Sequence, residues 1–231
     1  MKPKAIIFDV DGTIANSERW GHLPASNEAI KMLGLPFEWD WPTFKRMLTI
    51  PGTANRLRHE LEARSYSKGD IEAYIGAFVP IKKELYINKY LPQVSLRTGI
   101  KEFMQRAIVK GVKMAIVSTT YEAQINELLA TKLPDEKPFF NPVLGKESGV
   151  KTGSEGVLYE RCLSELNLQP EECIVIEDSS AGLAAARKAG IPTLVFYNDY
   201  TENEDFKGAV LVESSITNVD PDKILAGEKP N

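Results

Sequence analysis

The sequence has little of what would direct a protein to a membrane, an oxidising compartment or nucleic acid. It contains no apolar run long enough to cross a bilayer, which argues against a membrane-spanning protein. Its two cysteines, Cys162 and Cys173, are isolated, so we expect small core residues rather than a disulfide or redox site. A net charge of −4 offers no basic surface for nucleic acid.

The remaining composition is that of an ordinary globular protein. A hydrophobic fraction of 43% supports a full core, and 26% of the residues are charged. The segment Met1–Lys4 leads directly into an apolar run, so we expect no signal or transit peptide. We therefore expect a soluble, cytoplasmic and monomeric protein with neither nucleic acid nor a membrane as partner.

The most informative stretch is a short apolar run that ends in two acids. Ala5–Phe8 reads as a strand buried on both faces. Asp9 and Asp11 follow with a spacing that puts both side chains on one side of an extended chain. Such close like charges require a shared proton or a cation, and Mg²⁺ prefers oxygen ligands. Gly12 allows a sharp turn and Thr13 offers donors to an anion, although an ordinary turn after a strand is the alternative.

The order of predicted elements indicates a doubly wound α/β fold with an insertion. From about residue 92 onward, apolar runs alternate with amphipathic helices, which is typical of a parallel, Rossmann-like sheet. Residues 17–91 lack buried-strand signals and read as four or five helices. We predict a core domain from residues 1–16 and 92–231 and a helical cap domain from residues 17–91. We expect the insertion to lie over the carboxyl end of the first strand, where open α/β sheets bind ligands.

Polar residues recur where later predicted strands or loops end. Ser118 follows the apolar run at 112–117, and it would either donate to a ligand oxygen or cap the next helix. Lys151 lies in a loop, as a neutralising charge or as a solvated surface lysine. Glu177 and Asp178 leave another buried run, which suits a metal site better than packing.

Taken together, these positions resemble the four motifs of the haloacid dehalogenase (HAD) superfamily. Phe8–Thr13 resembles the first motif, Ser118 is in register with the second, Lys151 falls in the interval of the third, and Glu177–Gly182 resembles the fourth. The resemblance covers essentially the whole chain. The third motif departs from the usual Lys-Pro-X-Pro-Asp continuation, which leaves Lys146 as an alternative to Lys151.

The resemblance implies a set of catalytic roles. Asp9 would be the nucleophile that takes up a phosphoryl group, and Asp11 the general acid and base. Ser118 would donate to a phosphoryl oxygen, with Thr119 contributing its backbone N–H. Lys151 would neutralise the nucleophile and the bound phosphoryl group.

It also implies Mg²⁺ as the cofactor. Asp9, Asp11 and Asp178 would be ligands, and Glu177 would bind directly or through water. Gly12 and Thr13 would contribute to substrate binding.

The inserted tract resembles the type-1 cap of the CbbY and beta-phosphoglucomutase-like branch. That resemblance rests mainly on Glu18, Gly21–His22, Asn27–Glu28, Trp39–Asp40, Leu48–Gly52 and Arg56, with a late segment at Tyr197–Phe206. It implies Glu18, His22 and Arg56 as substrate contacts, with Arg suited to phosphate. For His22 a packed role is the alternative, and Trp39 and Trp41 are expected in the cap core. The lysine that the branch carries two positions before Arg56 is replaced here by Ala54.

These resemblances lead to one functional hypothesis and two alternatives. We predict a Mg²⁺-dependent phosphatase of small phosphorylated sugars acting through an aspartyl phosphate, with xylulose 1,5-bisphosphate as the leading substrate. A phosphosugar mutase of the beta-phosphoglucomutase type is the first alternative. A HAD-like binding or regulatory module without catalysis is the second.

Overall fold

The computed structural model describes residues 2–154 and 156–228. By its internal contacts the chain divides into two compact units. One unit comprises the chain up to Ala15 and from Leu96 onward, and the other comprises Asn16–Ser95. Within the first unit, Ala15 and Leu96 form an antiparallel bridge where the chain leaves and returns.

The first unit is built on a six-stranded parallel sheet. Its strands are β1 (Ala5–Phe8), β2 (Lys113–Val117), β3 (Phe140–Leu144), β4 (Cys173–Glu177), β5 (Thr193–Phe196) and β6 (Leu211–Glu213). The spatial order is β3-β2-β1-β4-β5-β6, and all neighbouring pairs are parallel. The predicted α/β class is confirmed, and β6 lies at one edge of the sheet.

The register of the central strands positions the polar residues that follow them. Phe8 is aligned with Ile116 of β2 on one side and with Ile176 of β4 on the other. Parallel strands in register end at the same edge of a sheet, so the residues after β1, β2 and β4 share that edge. The residues so placed include Asp9, Ser118 and Asp178.

The second unit is helical throughout its main elements. A π-helical turn at Glu18–His22 leads into α1 (Leu23–Met32), followed by α2 (Trp41–Arg46), α3 (Thr53–Ala63), α4 (Lys68–Leu85) and a second π-helical turn at Tyr86–Tyr90. Helices α2 and α4 begin at capping side chains, since Asp40 accepts from the Thr43 N–H and Ser67 from the Asp70 N–H. The apolar faces form one core that includes Ile30, Trp39, Phe44, Leu57 and Phe78.

The helices of the first unit are α5 (Ile100–Val109), α6 (Glu122–Lys132), α7 (Leu158–Leu166), α8 (Ser180–Lys188) and α9 (Pro221–Ala226). Helix α7 begins at Leu158, whereas the sequence pattern predicts a start near Ser154. The preceding segment folds instead as a loop in which the Val157 N–H donates to the Val150 carbonyl over 2.9 Å. Glu155 lies outside the described residues. The short helix α9 was not predicted.

Both cysteines lie in the apolar core. Cys162 on α7 and Cys173 on β4 are free, buried and members of one cluster with Ala5 and Ile7. Burial raises the pKa of Cys173 to about 11 and that of Cys162 further, so both stay protonated thiols. Among residues 2–154 and 156–228, no helix has the length and apolar character that a membrane span requires.

Replacing Phe8 tests the aromatic packing between β1, α5 and β3. The ring is fully buried and meets the rings of Phe103 and Phe140 edge-on, with centroids 6.1 and 5.9 Å away. We expect Phe8→Ala to lower the free energy of unfolding by about 3–5 kcal/mol, because it removes apolar contacts and leaves a cavity. Urea denaturation followed by circular dichroism measures this loss. Phe8→Leu should cost clearly less, and equal losses for the two variants would contradict the packing described.

Candidate active site

Three buried carboxylates meet at the carboxyl edge of the sheet. Asp9 follows β1, Glu177 ends β4, and Asp178 comes next in the chain. One carboxylate oxygen of each lies within 4.8 Å of the others, and all three side chains are nearly inaccessible to solvent. The structure therefore brings Asp9 together with two adjacent acids, Glu177 and Asp178, that lie 168 positions or more further along the sequence.

Lys151 lies among these acids. The Lys151 ammonium is 2.5 Å from Asp9 Oδ1 and 2.6 Å from Glu177 Oε1, and the side chain is buried. Lys146, the alternative, is exposed and donates to the Tyr121 hydroxyl over 3.2 Å. The structure thus places Lys151, and not Lys146, beside the proposed nucleophile.

The loop around Lys151 explains how the departure from the third motif is accommodated. Gly149 and Gly153 have φ values of 144° and 81°, which side chains rarely adopt. A Cβ at Gly156 would collide with the Lys151 carbonyl. The glycines therefore allow a tight loop that folds back on itself and directs the lysine inward.

Glu177 is held by donors on both of its oxygens. Oε1 accepts from the Tyr159 hydroxyl at 3.2 Å in addition to Lys151, and Oε2 accepts from the Asp178 N–H at 3.1 Å and the Ser179 hydroxyl at 3.2 Å. Gly182 packs so close to this carboxylate that a Cβ there would overlap it. Glu177 is consequently fixed in place beside Asp9 and Asp178.

Asp178 and Asp11 are held by hydroxyl and amide groups. The Thr13 hydroxyl donates to Asp178 Oδ1 over 3.3 Å, and the Asn198 amide donates to Asp178 Oδ2 over 2.6 Å. Asp11 accepts a hydrogen bond from the Thr120 hydroxyl. Gly12 has a φ of 87°, and a Cβ at this position would collide with Asp178 and Asn198. The turn after β1 thus depends on glycine.

Ser118 and Thr119 follow β2 with different surroundings. Ser118 is fully buried, and its hydroxyl accepts from the Thr120 N–H over 3.2 Å. The cap of α6 is Tyr121 and has no side-chain capping bond, so the capping alternative for Ser118 is wrong. Thr119 is exposed.

The other predicted substrate contacts belong to the helical unit. His22 is buried, with Nδ1 2.7 Å from the Lys82 ammonium and its ring stacked 4.2 Å from that of Tyr86. Arg56 is buried, donates through Nε to the Met47 and Ile50 carbonyls, and lies 3.5 Å from Glu18. These contacts give Arg56 a packing role within this unit. Substrate roles for Glu18, His22 and Arg56 stay predictions.

Burial sets the electrostatics of the acid cluster. It raises the pKa of Asp9 to about 7, with Glu177 and Asp11 adding to the rise and Lys151 opposing it. It also raises the pKa of Asp178 well above its usual range, with Asp9 and Glu177 as further causes and Arg97 opposing. For Lys151, burial alone would lower the pKa, but Asp9 and Glu177 outweigh it and the pKa is raised. The lysine is therefore charged, and the acids lack sufficient positive charge nearby.

The residues present fit a divalent cation. If ionised, the three carboxylates would outnumber the Lys151 ammonium by two charges in this buried site. Oxygen-only ligands of this kind suit Mg²⁺. Asp9 and Asp178 would hold the ion, and Glu177 offers a further oxygen for binding it directly or through water.

Four residues near the site escaped the sequence analysis: Arg97, Thr120, Tyr159 and Asn198. Thr120 and Asn198 come just after β2 and β5, so the strand-end argument that identified Ser118 would have included them if extended. Tyr159 lies on α7 and Arg97 in the segment before α5, and neither carries a local sequence signal.

Comparison with known proteins is consistent with this site. Residues 6–196 match the haloacid dehalogenase-like hydrolases. The chain belongs to this family.

The relatives include proteins of the predicted branch. Protein CbbY of Rhodobacter capsulatus is 34% identical over 90% of this chain and 92% of its own length. A phosphorylated carbohydrates phosphatase of Thermotoga maritima is 28% identical over 96% of both chains. A crystal structure of a CbbY mutant from Rhodobacter sphaeroides in complex with xylulose-(1,5)bisphosphate has a TM-score of 0.75 and 27% identity, covering 95% of this chain and 96% of that one. The predicted family and enzyme class, a phosphoric monoester hydrolase, are confirmed.

Lys151→Met tests the balance of charge in the cluster. Removing the ammonium leaves buried carboxylates unpaired, so we expect the free energy of unfolding to fall by about 3–5 kcal/mol. Lys146→Met is the matched control, and an exposed lysine should change stability by only about 0.5 kcal/mol or less. Guanidinium chloride denaturation compares the two. Similar values for both variants would contradict the role given to Lys151.

The pKa of Asp9 predicts a pH-dependent effect of Mg²⁺. Below pH 7 this carboxyl binds a proton in the folded protein, and that proton competes with a cation. Above pH 7 the carboxyl is ionised, and its buried charge is unfavourable unless a cation is bound. We therefore expect MgCl₂ to raise the unfolding temperature more at pH 8 than at pH 6. Differential scanning calorimetry with KCl at matched ionic strength as control measures the effect. An equal or larger increase at pH 6 would be inconsistent with cation binding at Asp9.

Proposed function

We propose that this chain is a Mg²⁺-dependent phosphatase of small phosphorylated sugars, with a pentulose bisphosphate such as xylulose 1,5-bisphosphate as the leading substrate. The observation that carries the proposal is the buried cluster of Asp9, Glu177 and Asp178, in which Lys151 contacts Asp9 and Glu177. This cluster lies at the edge of the sheet where open α/β folds bind ligands. The CbbY structure with xylulose bisphosphate and the Thermotoga maritima phosphatase support the sugar phosphate class.

In the first half of the proposed reaction, an Asp9 carboxylate oxygen attacks phosphorus. The new bond joins this oxygen to the phosphoryl group, and the bond from phosphorus to the sugar oxygen breaks. Asp11 gives its proton to the leaving sugar oxygen, which departs as the alcohol. The Thr120 hydroxyl, which donates to Asp11, keeps this side chain oriented.

In the second half, water takes the place of the sugar. Asp11, now ionised, accepts a proton from the attacking water, whose oxygen bonds to phosphorus as the bond to Asp9 breaks. Free phosphate leaves and both aspartates return to their starting states. Splitting the transfer in this way replaces one difficult step by two easier ones.

Positive charge is needed to bring a phosphate dianion to a carboxylate nucleophile. Lys151 supplies one such charge at 2.5 Å from Asp9 Oδ1. When bound by Asp9 and Asp178, Mg²⁺ would supply the remainder by neutralising charge on the phosphoryl oxygens. Ser118 would donate its hydroxyl to one of these oxygens. Gly12 and Thr13, in the turn after β1, and the backbone N–H of Thr119, after β2, would also contribute to substrate binding.

We further propose that the helical unit, Asn16–Ser95, is the cap domain of this enzyme and the main source of its specificity. Its connection to the rest of the chain falls between the first two motifs, as in the type-1 cap arrangement. That the enzyme is monomeric and cytoplasmic stays a prediction.

Asp9→Asn tests the nucleophile. The amide cannot form an acyl phosphate in the same way, so we expect phosphate release to fall by at least about 10³-fold with the fold intact. Malachite green detection with a panel of sugar phosphates, with and without MgCl₂, measures turnover. Asp135→Asn, an exposed aspartate, is the control. Unchanged hydrolysis in Asp9→Asn would exclude Asp9 as nucleophile.

The product separates the phosphatase from the alternatives. Phosphorus NMR of the reaction with xylulose 1,5-bisphosphate or a hexose 1-phosphate should show inorganic phosphate accumulating. An isomeric sugar phosphate instead would establish a mutase. No change with any member of the panel would favour the non-catalytic module.

A further inference from the structure

Arg97 forms a concentrated set of hydrogen bonds where the chain returns to the sheet-containing unit. Its Nη1 donates to the Gly12 carbonyl at 2.7 Å and the Phe196 carbonyl at 2.8 Å. Its Nη2 donates to the Tyr197 carbonyl at 3.1 Å and the Ser214 carbonyl at 2.8 Å. One guanidinium thus joins the turn after β1 to the ends of β5 and β6.

The same guanidinium also fixes the orientation of a side-chain amide. Arg97 Nη1 donates to Asn198 Oδ1. A guanidinium has only donors, so the amide oxygen must face it and the NH₂ group must face away.

The NH₂ group of Asn198 then has two acceptors available. It donates to the Gly12 carbonyl at 3.1 Å and to Asp178 Oδ2 at 2.6 Å. With Thr13 donating to Oδ1, both oxygens of Asp178 are oriented by neutral donors. These donors are neutral, so they do not compete with a cation for the carboxylate as a direct ammonium contact would.

We propose that Arg97 and Asn198 are positioning residues that hold Asp178 in the orientation in which it binds the divalent cation. The proposal rests on the metal site of the proposed function. Arg97 acts through Asn198 on Asp178, and through the Gly12 carbonyl on the turn that carries the first-motif acids. The cation affinity of Asp178 therefore depends on a residue that is 81 positions away in the sequence.

The shape of the guanidinium, and not only its charge, is required for this role. Arg97 uses two nitrogens of a rigid planar fork to reach acceptors on three separate segments. Lysine has the same charge but offers donors from a single flexible point. Arg97→Lys consequently keeps the charge while losing the fixed amide orientation.

Direct measurement of cation binding tests the proposal. Mn²⁺ binding, followed by loss of the free-ion signal in electron paramagnetic resonance, and Mg²⁺ binding by isothermal titration calorimetry give dissociation constants without turnover. We expect Arg97→Lys and Asn198→Leu each to raise the dissociation constant by about 10–100-fold, the usual effect of losing a group that orients a metal ligand. Circular dichroism melts run in parallel report stability.

Arg187→Lys is the matched control, because Arg187 likewise donates to a backbone carbonyl, that of Lys207, at 2.8 Å. It should bind both ions as the unmodified chain does. A folded Asn198→Leu with unchanged dissociation constants and only a lower melting temperature would overturn the positioning role. If Arg97→Lys does not fold, Asn198→Leu alone decides. If the unmodified chain binds neither ion, the proposed metal site itself is wrong. If all variants bind the ions equally well, the metal site stands and only the positioning role is wrong.

Discussion

The unbalanced negative charge buried at the end of β1 and β4 is the constraint on which the rest of the active site depends. Asp9, Glu177 and Asp178 lie within a few ångströms of one another, and Lys151 neutralises only part of their charge. Placing like charges together in a buried site is unfavourable unless a cation offsets them. The surrounding structure can be understood as the means by which this arrangement is held.

Backbone conformation and hydrogen bonds share that task. The glycine-containing loop directs Lys151 inward, and Gly12 and Gly182 allow close approach to Asp178 and Glu177. Tyr159 and Ser179 fix Glu177, while Thr13 and Asn198 fix Asp178. A site held in this way is oriented before substrate and cation arrive, which lowers the reorganisation that catalysis requires.

Much of this site follows from the sequence because parallel strands end at one edge. The apolar runs before Asp9, Ser118 and Asp178 predict strands, and neighbouring strands bring their following residues together. Family resemblance then assigned roles that spacing alone leaves open, such as nucleophile and acid. The same reasoning did not decide between Lys151 and Lys146, since loop conformation determines which lysine turns inward.

The supporting residues were harder to predict for a physical reason. Arg97 and Tyr159 act across long sequence separations, and their contacts depend on the packing of segments that carry no distinctive pattern. The same holds for α7, whose start depends on a local loop rather than on periodicity. Arg56 shows the converse, because a residue type suited to phosphate is buried in contacts with backbone carbonyls.

If the charge in this site is balanced by a bound ion, one divalent cation lies between the end of β1 and the end of β4. Anomalous diffraction at the manganese edge from crystals soaked in MnCl₂ tests it most directly. We expect a single strong peak within coordination distance, about 2.0–2.3 Å, of carboxylate oxygens of both Asp9 and Asp178. A well-occupied peak elsewhere in the chain, or none at saturating Mn²⁺ with these two carboxylates ordered, would contradict it.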